Sequence, residues 1–252
     1  MDISVLAGLY DSYVDTFRAS DGTLSAMMRL KRDHTERVVA NAVAIADGEG
    51  FSAEERALSQ SAALLHDTGR YEQLRRFNTF RDADSVDHAV LSHDIVKAKG
   101  WTGDERILKA VLYHNRRELP EDIDRMTALV SHVVRDADKL DIFTVLEEQV
   151  ENTDWRGDSR AFWNLAISAP PNPEVVAAIE ARRPVDYSLI KSLADFVLIQ
   201  VGWMISGLHF ATSRRLCAAR GHLAFRRRFL HEITDDGSID RLCDLAEKGM
   251  GG

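Results

Sequence analysis

Apolar positions recur at helical spacing along most of the chain, and no convincing two-residue alternation of Val, Ile and Thr suggests a strand. Between 24 and 47, Met27, Leu30, Val38, Ala42 and Ile45 fall on one helical face. Ser52 followed by Glu55 reads as a capping box that opens a helix over 52–66, and Gly69 reads as its stop. Further helices fit 85–99, 104–115, 123–150, 173–182, 187–217, 220–233 and 238–247. The Gly-, Asn- and Pro-containing segment 151–174 breaks the period and reads as a loop with a short helix. The pattern predicts an all-α fold and one domain over 1–252, with a core at about 25–145 and a helical extension at about 150–252.

Polar residues interrupt the inward faces at specific places. His34 has Leu30 four residues before it and Val38 four after. His66 follows Ala62 and Ala63, His88 precedes Leu91, Ser92 and Ile95, and His114 follows Ile107, Ala110 and Val111. Asp67 adjoins His66, and Asp138 lies between Val134 and Ile142. Neighbours at these spacings share a helix face, so each of these side chains is expected to point inward. A single inward histidine is commonly a packed core residue with one hydrogen bond. Several buried imidazoles and carboxylates would each need a partner, because a buried unpaired charge is expensive. Convergence on a metal meets that need at once. Imidazole nitrogen and carboxylate oxygen suit Fe, Mn, Co, Ni or Zn. Six such side chains are more than one ion with an open position requires, and they suit two ions sharing a carboxylate.

Neighbouring candidates compete. His93 lies about 140° around a helix from His88, so only one of them can face a common site, and His88 has the cleaner apolar flank. Spacing alone leaves Asp136, Asp138 and Asp141 open. His132, His209, His222 and His231 have no partner at ligand spacing and read as ordinary core or surface residues.

The ordered set His34, His66–Asp67 in "LLHDTGR", His88 in "DHAVLSH", His114 in "AVLYHN" and Asp138 in "RDADKLD" resembles the HD-domain metal-dependent phosphohydrolase superfamily over about 25–145. Its order, H…HD…H…H…D, is similar to that of the two-metal branches. The resemblance implies an HD-type helical bundle in which His34, His66, Asp67 and Asp138 hold one divalent ion. Asp67 then bridges to a second ion held by His88 and His114. It selects Asp138 among the three aspartates. The branch that cleaves cyclic dinucleotides carries adjacent histidines where this chain has His114–Asn115, and a Gly-Tyr-Pro segment where this chain reads "HNRRELPED". That activity is therefore not implied.

The same resemblance implies hydrolysis of a phosphate mono- or diester, with a nucleotide among the candidates, by water activated at the metal. Arg70 occupies the place where related enzymes often carry a basic residue after "HD-x-G". It is the first candidate for capturing phosphate, followed by Arg76, Lys139 and Asn115; Arg75 and Arg81 lie close by in sequence. Arginine suits phosphoryl oxygens because it bonds them bidentately. A small HD-like branch with the same ligand order uses a mixed-valent di-iron centre as an oxygenase. A non-catalytic metal-binding sensor is the third possibility.

Charge and composition narrow the partners. The net charge of −8 argues against extended nucleic-acid binding, although a local basic patch can still hold a small anion. "RRLCAARGHLAFRRRF" at 214–229 reads as basic decoration on amphipathic helices. The most apolar stretch, 196–211, is short of a membrane span and includes Gln200 and His209, so it reads as a core helix. Two cysteines without a CxxC pair, and a start with neither a basic head nor a long apolar run, lead to the expectation of a cytoplasmic protein. Oligomeric state is not legible.

Overall fold

A computed structural model describes residues 2–156, 162 and 165–251. Among the described residues the secondary structure is helical, with one isolated bridge between Ala166 and Ser192 and no strand. The chain packs as two compact units, 1–141 and 142–252, that meet within one long helix.

The first unit is built from α1 (Ile3–Asp15), α2 (Ala26–Gly48), α3 (Ala53–Leu65), α4 (Gly69–Phe77), α5 (His88–Ala98), α6 (Glu105–Tyr113) and the first part of α7 (Arg125–Asn152). Side-chain caps begin most of them. Asp2, Ser25, Asp87 and Asp104 each accept from amides of the first turn, which otherwise lack partners. Ser52 and Glu55 form the expected reciprocal capping box on α3. Helix α2 packs on α3, α3 on α6 and α1, and α5 on both α4 and α6. Their buried faces meet through Val38, Ala42, Ile45, Ala62, Leu65 and Val111.

Several expectations need correction. Helix α1 was not among the predicted elements, although Leu6, Tyr10, Tyr13 and Val14 line its buried face at helical spacing. Gly69 does not stop a helix; it opens α4. A Cβ there would lie 2.7 Å from the Ser92 amide nitrogen and 2.9 Å from the His88 carbonyl oxygen, so only glycine allows α4 to start against α5. Met27 and Leu30 are 47% and 39% exposed, because the buried stripe of α2 begins only at His34.

In the second unit, α7 continues to Asn152 and is followed by α8 (Pro173–Glu180), α9 (Leu193–Gly202), α10 (Ala211–Ala219), α11 (His222–Ile233) and α12 (Ser238–Met250). The single helix expected over 187–217 is broken. A 3₁₀ turn covers Tyr187–Leu189, Ser192 and Asp195 cap α9, and a π-turn at Trp203–Gly207 separates α9 from α10. Helix α12 packs on α9, α11 and the π-turn around Leu198, Phe229, Leu230 and Leu242. The loop with a short helix expected over 151–174 falls partly outside the described residues. No helix among the described residues is long and apolar enough to cross a membrane.

Candidate metal centre

The first unit brings four imidazoles and two carboxylates together. His34 sits within α2, and His66 and Asp67 lie in the tight turn between α3 and α4. His88 is the first residue of α5, His114 is the C-cap of α6, and Asp138 lies on α7. The four histidines and Asp67 are buried, and Asp138 is partly so.

Every ring has its Nδ1 engaged away from the centre. His66 and His114 use the same local device. Each stands at a helix end and donates from Nδ1 to the carbonyl three residues back, Ala63 at 2.7 Å and Val111 at 2.7 Å. Those carbonyls lie in the last turn, where the ladder leaves acceptors free. His34 Nδ1 meets Asp141 Oδ2 at 2.6 Å, and Asp141 is itself held by Arg37, with Nε at 2.5 Å. His88 Nδ1 meets Asp82 Oδ2 at 2.5 Å, while Asp82 Oδ1 accepts from Arg70 and Gln73. A neutral ring that donates from Nδ1 presents a lone pair at Nε2. In His66, His88 and His114 that lone pair turns inward, and His34 Nε2 turns inward against Asp138 Oδ1 at 3.2 Å.

The inward atoms form two groups joined by one carboxylate. His34 Nε2 and His66 Nε2 are 3.3 Å apart, and Asp138 Oδ1 lies 3.2 Å from the first and 3.8 Å from the second. Asp67 Oδ2 completes this group at 3.5 Å from His34 and 3.6 Å from His66. In the other group, His88 Nε2 and His114 Nε2 are 3.0 Å apart. Asp67 Oδ1 faces them at 3.6 and 3.7 Å. That oxygen is buried and accepts no hydrogen bond.

Lone pairs 3.0–3.3 Å apart repel unless positive charge sits between them. Donors about 2.1 Å from one ion stand about 3.0 Å apart at a right angle and about 3.4 Å apart at the tetrahedral angle. The two nitrogen pairs fall at those spacings, the carboxylate oxygens lie at 3.2–3.8 Å from the nitrogens, and nitrogen with carboxylate oxygen is the donor chemistry of borderline divalent metals. The residues present fit one ion in each group. A third cluster, Asp82, Asp87 and His88, is explained without a metal. Asp82 holds the His88 ring, and Asp87 caps α5.

Electrostatics agree with the geometry at three of the four rings and at both carboxylates. Burial alone would raise the Asp67 carboxyl, but Lys31, His66 and Arg70 outweigh it and hold it well below the ordinary carboxylate range. Asp138 is likewise held low, with His34 outweighing burial. Burial pushes His66 down and brings His88 and His114 to about 4, so these rings stay neutral. His34 moves the other way: despite burial and Lys31, the hydrogen bonds to Asp138 and Asp141 raise it.

The model of the HD domain family matches residues 32–142, which span all of these donors. No curated protein and no solved structure matches the chain.

Within and beside the matched stretch, the other predicted residues are distributed unevenly. Arg70 is brought to the cluster: its Nε lies 3.4 Å from Asp67 Oδ1, and its Nη1 donates to Phe80 carbonyl, Gln73 and Asp82. Asn115 donates to Asp87 Oδ1 at 2.9 Å and so braces the end of α5 that carries His88. Lys139 follows Asp138 on α7 and donates to the Arg135 carbonyl at 3.4 Å; burial lowers its ammonium to about 8. Arg76 stands about 120° around α4 from Arg70, exposed, with its guanidinium on Glu72. His93 is paired with Asp94 at 2.9 Å.

Sequence reasoning missed Lys31, Asp82 and the role of Asp141. Lys31 donates to Asp67 Oδ2 at 2.7 Å, with its ammonium 5.5 Å from the Phe80 ring. Lys31 lies three residues before His34, and Asp141 three after Asp138, so both share a helix face with a ligand candidate. Asp82 opens a single 3₁₀ turn, Asp82–Asp84, and carries no such signal.

Proposed function

We propose that this protein is a metal-dependent hydrolase of a phosphate ester. One observation carries the reading: the two oxygens of Asp67 face different pairs of inward-turned imidazoles. His34, His66, Asp138 and Asp67 Oδ2 would hold one divalent transition-metal ion, and His88, His114 and Asp67 Oδ1 a second. Ions bound there supply Lewis acidity and bring the pKa of bound water towards neutrality. Asp82 and Asp141 keep the rings of His88 and His34 in the ligating tautomer. Lys31 and Arg70 stand beside Asp67 and would counter charge on a phosphoryl group. Burial of the donors excludes bulk water and strengthens each of these interactions. The substrate class is a small phosphate mono- or diester, with nucleotides among the candidates.

The test combines ion counting with turnover. Protein purified anaerobically and loaded with Mn(II), Fe(II) or Co(II) should hold about two ions per chain and hydrolyse a member of a phosphomonoester, phosphodiester and nucleotide panel. A filled centre with no hydrolysis under any metal counts against the reading. Oxygen consumption together with a mixed-valent di-iron EPR signal would assign the same donors to oxygenase chemistry instead. A His66→Ala chain that merely unfolds, from a parent without turnover, would point to a metal-binding sensor.

A further inference from the structure

Arg226 on α11 is fully buried in the C-terminal unit, and all of its N–H groups are engaged. Nε and Nη2 donate to Gln200 Oε1 at 3.0 and 2.7 Å. Nη1 donates to Glu147 Oε1 at 2.7 Å and to the His222 carbonyl at 2.8 Å. Nη2 also reaches the Phe143 carbonyl at 2.9 Å, with the guanidinium 4.6 Å from the Phe143 ring. His222 Nδ1 adds a second contact to Glu147 Oε1 at 2.7 Å.

Two of these partners, Phe143 and Glu147, form one turn of α7. Asp138 and Asp141 occupy the turn immediately before it. The Phe143 carbonyl is the acceptor for the amide of Glu147 in the helical ladder. Arg226 therefore grips the same oxygen that closes this turn, together with the side chain at the turn's other end. Helices lose order from their ends inward, because terminal turns lack ladder partners. A clamp on 143–147 keeps that loss away from 138–141.

We propose that Arg226 is a positioning residue for the metal centre. By holding the 143–147 turn of α7 wound, it keeps Asp138 facing His34 and His66, and Asp141 on the Nδ1 of His34. The inference rests on the proposed metal function. It also predicts selectivity, since none of Asp67, His88 and His114 lies on α7 and the second group should be much less affected.

The test has a metal-free arm and a metal arm. In metal-free Arg226→Gln, hydrogen exchange at residues 138–142 should accelerate at least about tenfold, while α3 and α5 keep their protection. Titration with Co(II) or Mn(II) should then show one of two ions bound about ten- to hundredfold more weakly. An Asp138→Asn background should abolish that difference. If Arg226→Gln does not fold, Arg226→Lys and Glu147→Gln should give the same pattern with smaller amplitude. Unchanged exchange at 138–142, or equal weakening of both ions, overturns the inference. Wild-type protein that binds no metal overturns the function on which it rests, and the exchange measurement still judges the clamp by itself.

Discussion

Each unit of the molecule buries a cluster of charged and polar side chains, and the two clusters are closed in opposite ways. In the C-terminal unit the Arg226 guanidinium meets Glu147, Gln200 and two carbonyls, so every donor on it faces an acceptor. In the first unit the inner atoms of the cluster are nearly all acceptors. Imidazole Nε2 atoms face each other, and Asp67 Oδ1 is buried and accepts no hydrogen bond. The outer atoms of the same rings are satisfied by Asp82, Asp141 and two carbonyls. A guanidinium whose every donor meets an acceptor holds the fold together, even though Gln200 Nε2 and His222 Nε2 beside it are buried without a hydrogen bond. A network satisfied outside and mismatched inside has the donor chemistry to hold a cation. That contrast separates a structural cluster from a site better than burial does, since both are buried.

The sharpest way to break the comparison is at Asp67. Asp67→Asn should abolish high-affinity binding of both ions and the proposed turnover, read by ion counting and assay, while circular dichroism stays helical. A variant that keeps two ions would mean that Asp67 is not shared. In the other unit, Glu147→Leu strands the Arg226 charge and should cost about 3 kcal/mol in urea unfolding, the low end for a broken buried pair because Glu147 is partly exposed. A change under about 0.5 kcal/mol would deny that this cluster is structural. The outer shell should give an intermediate effect. Asp82→Asn frees the His88 ring and should weaken the second ion about tenfold without altering the fold.

The smallest effect is in pH. In metal-free protein, burial holds His88 and His114 at about 4 against an ordinary 6.5. The unfolded chain therefore takes up protons at these rings first as pH falls. Their contribution to stability is fully present above 6.5 and is lost as pH falls from 6.5 towards 4. Urea midpoints across that range would sharpen the comparison, since removing Arg226 should leave this slope unchanged.

Much of this architecture is legible in the order of residues. Ser52 and Glu55 mark the start of α3, and apolar neighbours around His34, His66, His88 and His114 turn those rings inward. These are local signals, because helical period and end-capping involve residues within a turn or two of each other. The start of α4 at Gly69 is not local: it depends on the backbone of α5. The break after α9 is marked in the apolar run over 196–211 only by Gly202 and Gly207, which bound the π-turn.

Taken alone, the sequence determined that the chain is helical and which side chains could serve as donors, since periodicity sets the direction in which each one points. Tertiary structure decided what those donors do. It separated Asp138, which faces the imidazoles, from Asp141, which orients one of them, and it brought Lys31 and Asp82 into the centre. The physical reason is distance along the chain: His34 meets Asp141 across 107 positions. A hydrogen bond of that span is encoded by how helices pack and not by any pattern within one of them.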